Sequence, residues 1–312
     1  MLTSYLNIFI LFLLIFLGYF LSYRQWFTND TVDVFSKLVL NLSLPFSMFL
    51  NITANFSKKE FLALFSGMII PLLSMLLTLG ISFLCIRLFK VRDSHKGTFS
   101  TIFTCSNTIF IGLPINLAIF GEKAIPFVLL YYIVNTTIFW TIGVFLIARD
   151  NPLTKEARIS FHPLVMLKKI FSPALIGFII GLIFMLLSWR VPNFIVKFGS
   201  YLADLSTPLS MFAIGIMVYF IGIKNLKLEK DIVLVLLGRY LVSPLIVWLL
   251  GRFIEVPSLM LKVFMVQAAM PVQNSIPILA RNYQGDEKFA SASLCYSIFF
   301  YLPFIWLLLS FL

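Results

Sequence analysis

The stretch MPVQNSIP, from Met270 to Pro277, places two prolines and three polar residues inside an otherwise apolar segment that runs from about residue 259 to 282. Because proline lacks a backbone N–H and clashes with the preceding turn, a helix that contains this stretch is expected to break. A second stretch, SNTIFIGLP from Ser106 to Pro114, interrupts the segment 97–120 in the same way. These two interrupted segments decide the fold.

The composition places these segments in a membrane. Of 312 residues, 60% are hydrophobic and 12% are charged, which is far from the usage of soluble proteins. Apolar runs of about 20 residues, enough to cross a hydrocarbon core of about 30 Å, recur along the chain. They predict an all-α integral membrane protein with about ten transmembrane helices, near 4–22, 31–53, 60–86, 97–120, 124–147, 163–188, 198–222, 231–251, 259–282 and 288–311.

The two halves of the chain share an internal repeat. NLSLPFSMF, from Asn41 to Phe49, matches DLSTPLSMF, from Asp204 to Phe212, at six of nine positions, 163 residues further on. The same offset superposes Gly18 on Gly181, and it superposes the proline that ends the first interrupted stretch on the proline that ends the second. Three separate elements therefore agree on one register.

This repeat predicts a first five-helix repeat at 1–150, a cytoplasmic linker at 151–162 and a second five-helix repeat at 163–312. Because five is an odd number of spans, the second repeat is expected to enter the membrane from the opposite side to the first. Inverted repeats that contain broken helices are an architecture of secondary transporters.

The basic residues predict the orientation of the chain. The formal net charge is +11, but Lys and Arg lie in short loops, where membrane topology explains them and nucleic-acid binding is not expected. The odd-numbered loops hold roughly twice as many of them as the even-numbered loops, which predicts that the odd loops are cytoplasmic. Both termini of this multi-pass cell membrane protein are then expected outside the cytoplasm, with anionic lipid as a partner at the cytoplasmic face.

No metal site, cofactor or enzyme activity is predicted. Cys85, Cys105 and Cys295 lie in apolar stretches without metal-ligand spacing, and His95 and His162 fall in basic loops without ligating company. The chain also lacks the common hydrolase and phosphate-binding motifs, so no catalytic residue is expected. A coupling ion, either H⁺ or Na⁺, remains an open alternative.

The two helix breaks are the candidate site. A broken helix presents free N–H groups at the start of its second half, where a carboxylate is favoured. Polar side chains in the breaks either contact a ligand or ion or cap the helix ends. The candidate substrate-binding residues are Asn107, Thr108, Gly112, Pro114, Pro271, Gln273, Asn274, Ser275 and Pro277.

Other residues inside the spans are candidates for kinks or charge. Pro45 and Pro208 occupy matched positions in spans two and seven and are expected to kink them. Asp204, near the outer end of span seven, either helps bind a coupling ion or is hydrated there. Arg239, in span eight, either snorkels to the interface, pairs with a carbonyl group, or holds an anionic substrate or its counter-charge.

Four motifs carry a resemblance to a known family. They are LNLSLPFSMFLNI at Leu40 to Ile52, CSNTIFIGLPI at Cys105 to Ile115, STPLSMFAIG at Ser206 to Gly215, and AAMPVQNSIPILARNYQGDEKFAS at Ala268 to Ser291. With these motifs the sequence resembles the auxin efflux carrier family, which includes bacterial permeases and the plant PIN-formed auxin exporters. The resemblance spans both halves of the chain.

The resemblance implies a ten-helix fold with crossing broken helices four and nine, similar to sodium/proton antiporters and bile-acid symporters. It implies a scaffold domain, an elevator-like transport domain and a homodimer formed through the scaffold. The implied substrates are small organic anions such as malate, malonate or auxin-like weak acids, with site roles for Asn107, Pro114, Pro271 and Pro277. A bile-acid-type sodium symporter and a channel are the competing predictions.

Overall fold

The computed structural model describes residues 2–55, 67–151, 173–222 and 226–311. The predicted linker beyond Asn151, His162, and parts of predicted spans three and six lie outside the described residues. The described residues form helices and no strand. Seven helical stretches among them are long and apolar enough to cross a membrane, by length and composition, and two shorter apolar helices accompany them.

The α-helices are α1 (Leu2–Tyr23), α2 (Asn29–Leu38), α3 (Leu44–Asn55), α4 (Ile69–Phe89), α5 (Lys96–Thr104), α6 (Gly112–Phe120), α7 (Ile125–Ile138), α8 (Val144–Ala148), α9 (Pro173–Leu186), α10 (Asn193–Ala203), α11 (Ser206–Ile221), α12 (Lys230–Leu237), α13 (Ser243–Phe253), α14 (Ser258–Ala268), α15 (Ser275–Asn282) and α16 (Glu287–Phe311). Three π-helical turns, at Val39–Ser43, Phe139–Gly143 and Gly238–Val242, join α2 to α3, α7 to α8 and α12 to α13. A 3₁₀ turn at Glu122–Ala124 leads into α7.

The chain forms two compact units, and each draws segments from both halves of the sequence. The first unit comprises 1–66, 109–130 and 170–222, and the second comprises 67–108, 131–169 and 223–312. The predicted division at 151–162 therefore concerns the order of the repeats along the chain. It does not mark the boundary between the compact units.

The first unit is built on close helix pairs. α1 packs along α11, and α9 packs along α3. A Cβ atom on Gly18 would lie 2.6 Å from the Phe212 carbonyl oxygen, and a Cβ atom on Gly181 would lie 2.9 Å from the Phe49 carbonyl oxygen. Small residues allow membrane helices to approach this closely. Both glycines are therefore needed where they stand.

In the second unit, the first half of each interrupted helix is enclosed by protein. Residues Gly97–Thr104 of α5 and Val263–Ala268 of α14 are buried. α5 lies against α4 and α8, α14 lies against α13, and α15 lies against α16. Backbone that leaves the helical conformation at membrane depth survives where protein covers it.

The N-terminus of α5 is capped by a carboxylate from a distant part of the chain. Asp150 accepts hydrogen bonds from the backbone N–H groups of Gly97 and Thr98, both at 2.6 Å, and so caps the start of α5. Burial raises the pKa of Asp150 to about 6, against the opposing effect of these two bonds. The first turn of a helix has free N–H groups, and this distant side chain satisfies two of them.

His95 is buried rather than free in a loop. Its Nδ1 lies 2.8 Å from Asp231 Oδ2 and its Nε2 lies 3.1 Å from Asp286 Oδ2. Its ring stacks on Phe289 with the centroids 4.0 Å apart. Burial by itself would raise the pKa of Asp286, but hydrogen bonds from the Phe289 N–H and from His95 hold that pKa below its ordinary value. The loop is thereby tied to the starts of α12 and α16.

We expect Gly18→Ala and Gly181→Ala to lower the thermal stability of the purified protein in detergent. The added methyl group meets backbone in both cases, and overpacking of this kind costs about 1–3 kcal/mol. Gly80→Ala on α4 is the matched control, because a Cβ at Gly80 meets no atom within 4 Å among the described residues outside its own stretch of helix. Equal melting temperatures for all three variants would contradict the close approach of these helix pairs.

Candidate functional site

Two helices break where the prolines predict. α5 ends because Cys105 is extended, with φ −94° and ψ 141°, and α6 starts seven residues later at Gly112. α14 ends at Ala268 and α15 starts at Ser275. Pro114 and Pro277 are each the third residue of the second half-helix, where an N–H group would have no partner within the helix.

The two breaks are hydrogen-bonded to each other. The backbone N–H of Asn107 donates to the Pro271 carbonyl oxygen at 2.9 Å. The Asn107 side chain donates from Nδ2 to Asn274 Oδ1 at 2.8 Å. The structure thus brings Asn107, Pro271 and Asn274 together, although 167 positions separate the two asparagines.

Gln267 holds the first break from the end of α14. Its side-chain Nε2 donates to the Thr108 carbonyl oxygen at 3.2 Å, and its backbone carbonyl oxygen accepts a hydrogen bond from Ser106 Oγ at 3.0 Å. Gln267 is fully buried, and its Oε1 has no hydrogen-bond partner among the described residues. The sequence analysis did not identify Gln267. An amide side chain deep in an otherwise apolar span was the available signal.

Asn135 of α7 forms hydrogen bonds with both backbone polar groups of Ser106, its N–H and its carbonyl oxygen. Asn135 Oδ1 accepts from the Ser106 N–H at 2.9 Å, and Asn135 Nδ2 donates to the Ser106 carbonyl oxygen at 3.1 Å. This bidentate pair replaces two backbone hydrogen bonds that the broken helix has lost. Asn135 is therefore a positioning residue of the first break.

The second break has its own supporting contacts. Gln273 Nε2 lies 3.2 Å from Ser275 Oγ, and Gln273 Oε1 is buried with no hydrogen-bond partner among the described residues. The Val272 N–H donates to Ser297 Oγ at 3.0 Å. Two amide oxygens, on Gln267 and Gln273, thus remain available to a donor or a cation.

Arg239 lies at the ends of both first half-helices. Its side chain is fully buried and donates to the carbonyl oxygens of Met270 from Nε at 3.1 Å, Ala268 from Nη2 at 2.6 Å and Phe103 from Nη1 at 3.4 Å. Of the three alternatives from the sequence, snorkelling to the interface is wrong because the side chain has no exposed surface, and pairing with carbonyl groups is confirmed.

The remaining candidates lie in the first unit. Gly112 and Pro114 belong to α6, Pro45 is the second residue of α3 after a π-helical turn, and Pro208 is the third residue of α11. Asp204 is exposed in the turn between α10 and α11. The turn lies within the stretch Asn193–Ile221, which is long and apolar enough to cross a membrane by length and composition.

A cavity of 670 Å³ in the first unit adjoins Asp204. Asn51, Glu122 and Arg190 also line it. The Asn51 side chain donates from Nδ2 to the Glu122 carbonyl oxygen at 3.2 Å, and Asn51 Oδ1 has no partner among the described residues. The cavity carries both signs of charge and therefore does not select for one.

The chemistry available at the two breaks is hydrogen bonding beside one fixed positive charge. The side chains of Asn107, Asn274 and Gln273 are neutral amides, and Arg239 is the charged group that the described hydrogen bonds connect to these breaks. Neutral amides and a buried cation suit the binding and orientation of an anion. They do not form a nucleophile and base pair.

Comparison with known proteins places the chain in a family of membrane transport proteins. The sequence profile of a family described as "Membrane transport protein" matches residues 3–309. An uncharacterized transporter of Methanocaldococcus jannaschii is 26% identical over 96% of this chain and 97% of its own length. The uncharacterized transporter YfdV of Escherichia coli is 23% identical over 90% of this chain and 89% of its own length.

An uncharacterized transporter of Methanothermobacter thermautotrophicus is 22% identical over 89% of this chain and 88% of its own length. The matches extend over nearly the whole chain and include both interrupted helices. Because the profile covers almost every residue, the chain belongs to the membrane transport protein family, the auxin efflux carrier family that its motifs resemble.

Proposed function

We propose that this protein is a secondary active transporter that moves a small organic anion, such as a mono- or dicarboxylate or an auxin-like weak acid, across the cell membrane. The observation that carries the proposal is the pair of buried helix breaks joined through Asn107 and Asn274. Non-helical backbone and polar side chains at membrane depth are costly and mark a transport pathway.

An inverted repeat of five and five helices is part of the proposal. The second half-helices begin 163 positions apart, at Gly112 and Ser275, which is the offset of the sequence repeat. The packing of the first unit follows the same offset: Gly18 meets Phe212, and the repeat-related Gly181 meets Phe49. Matching helix boundaries and matching contacts both support a duplicated five-helix fold.

The second unit supplies the substrate contacts in this proposal. α15 begins beside Asn274, and the positive end of its helix dipole lies at this break, where it favours a carboxylate. Asn107 and Gln273 add amide groups that orient the ligand. The positive end of α15 favours an anion over a cation, and Arg239 offsets the negative carbonyl ends of the two first half-helices nearby.

The proposed mechanism is elevator-type alternating access, with the second unit as transport domain and the first unit as scaffold. Its support is that both interrupted helices contribute their hydrogen-bonded break residues to one compact unit. Cytoplasmic odd-numbered loops, termini outside the cytoplasm, anionic lipid at the cytoplasmic face and a scaffold-mediated homodimer belong to the same proposal.

A bile-acid-type sodium symporter is the second candidate, and one observation favours it. The amide oxygens Gln267 Oε1 and Gln273 Oε1 are buried without partners among the described residues. Oxygen atoms of this kind are ligands for hard cations. Sodium dependence of substrate binding separates the two candidates.

The first experiment measures thermal stabilisation of the purified protein in detergent by a panel of mono- and dicarboxylates at two pH values. A ligand at 100 times its Kd adds about 2.7 kcal/mol to the stability of the folded state. We expect at least one carboxylate to raise the melting temperature, and its neutral amide analogue to have no effect. Stabilisation by a neutral or cationic compound alone would sink the anion assignment.

We expect Asn107→Ala and Asn274→Ala each to weaken binding of that carboxylate about tenfold, which corresponds to about 1.4 kcal/mol. Because their side chains bond to each other, the double variant should lose less than the two single variants combined. Isothermal titration of the carboxylate into the wild-type protein, the two single variants and the double variant measures this coupling.

The matched control for this cycle is Thr78→Val. Thr78 is buried in α4 of the same unit, and its hydroxyl donates to the Ser74 carbonyl oxygen in its own helix. The effect of Thr78→Val on the free energy of carboxylate binding should be additive with the effect of Asn274→Ala. Unchanged affinity in both asparagine variants, with normal expression, would show that the breaks are not the binding site.

A further inference from the structure

The carbonyl ends of the first half-helices are a natural cation site. α5 and α14 end inside the second unit, so their last carbonyl groups lack partners within the helix. Each helix C-terminus is equivalent to about half a negative charge. In transporters with broken helices, such ends and the unwound carbonyl groups beside them coordinate a coupling Na⁺ or H⁺.

In this protein a side chain of the chain itself occupies that place. The Arg239 guanidinium donates to Ala268, the last residue of α14, to Met270 in the second break, and to Phe103, one residue before the end of α5. A single guanidinium therefore satisfies carbonyl groups from both half-helices.

The charge balance also fits one resident cation. Two helix C-termini supply together about one negative charge, which one guanidinium neutralises. Among the described residues, no acidic side chain forms an ion pair with Arg239. A buried cation without a carboxylate requires such carbonyl dipoles, because an unpaired charge in a low-dielectric interior is strongly disfavoured.

Local structure brings the guanidinium into reach. Arg239 stands in the π-helical turn Gly238–Val242, and such turns are frequent at functional sites. A Cβ atom on Gly238 would collide with the ring of Phe103, so glycine at this position permits the approach to α5. The planar fork of arginine offers five donors to several acceptors at once, which the point charge of lysine does not.

We propose that Arg239 is a built-in cation that takes the place of a coupling sodium ion at the two helix C-termini, so that binding of the organic anion is independent of sodium. This inference rests on the proposed function for the identity of the ligand. A sodium symporter binds this positive charge from solution as Na⁺, whereas here the protein supplies it as a side chain.

The test begins without any substrate. Melting temperatures of the wild-type protein are compared in about 100 mM NaCl, KCl and choline chloride at equal ionic strength. For a sodium site with a Kd near 1 mM, this sodium concentration is about 100 times the Kd, and sodium binding would raise the melting temperature by several degrees. We expect the three salts to give the same melting temperature, and a sodium-specific increase would overturn the proposal.

The second arm vacates the site with Arg239→Ala. The melting temperature should fall in choline chloride and recover in part with Na⁺, Li⁺ or about 10 mM methylguanidinium, because the exposed carbonyl groups again attract a small cation. If no small cation restores the melting temperature of Arg239→Ala, then Arg239 only fills space, and the proposal is overturned. If this variant does not fold, the wild-type salt comparison decides by itself.

Arg252→Ala is the matched control. Arg252 is exposed on α13 with its guanidinium 4.7 Å from the ring centre of Trp248, and no described hydrogen bond connects it to the breaks. Its substitution should leave the melting temperature almost unchanged and insensitive to the choice of cation. A methylguanidinium effect equal to that in Arg239→Ala would show a general effect of the salt and overturn the proposal.

A final arm separates this inference from the proposed function. If a carboxylate binds with the same Kd in NaCl and in choline chloride, the inference is supported. If it binds only in NaCl, the inference fails while anion transport stands. If no carboxylate binds in either salt, the anion assignment fails, and the substrate-free salt comparison still decides the role of Arg239.

Discussion

The structure depends on satisfying backbone groups where two helices break inside an apolar environment. A helix that stops at membrane depth leaves N–H and C=O groups that lipid cannot bond. Here side chains do so: Asn135 pairs with both backbone groups of Ser106, Gln267 bonds the Thr108 carbonyl oxygen, and Arg239 bonds carbonyl groups from both first half-helices. The residues of the site are first of all the residues that make the breaks possible.

This constraint explains why the network is made of amides and one guanidinium. An asparagine or glutamine offers a donor and an acceptor together, so it can replace a lost backbone pair without adding charge. Buried polar networks rigidify a core when they are satisfied, and they are costly where they are not. Among the described residues of the two breaks, the amide oxygens of Gln267 and Gln273 have no hydrogen-bond partner, so they are the unsatisfied part of this network.

Membership of the membrane transport protein family and the geometry of the breaks support the same class of function from independent directions. The curated relatives are themselves uncharacterized transporters, so they name no substrate. What narrows the chemistry is the local charge: two carbonyl-rich helix ends are already neutralised by Arg239, and the start of α15 remains electropositive.

The sequence by itself determined the membrane class, the two breaks, the 163-residue register and Asn107 and Asn274 as candidates, because prolines and polar residues are conspicuous in apolar segments. Only the tertiary structure decided which of these residues touch. Helices that are apolar on nearly every side give little periodic signal for the face that packs inward. The contact between Asn107 and Asn274, the role of Gln267, the three partners of Arg239 and the burial of His95 join residues more than 25 positions apart. Such contacts depend on how separate helices pack, which local sequence patterns do not encode.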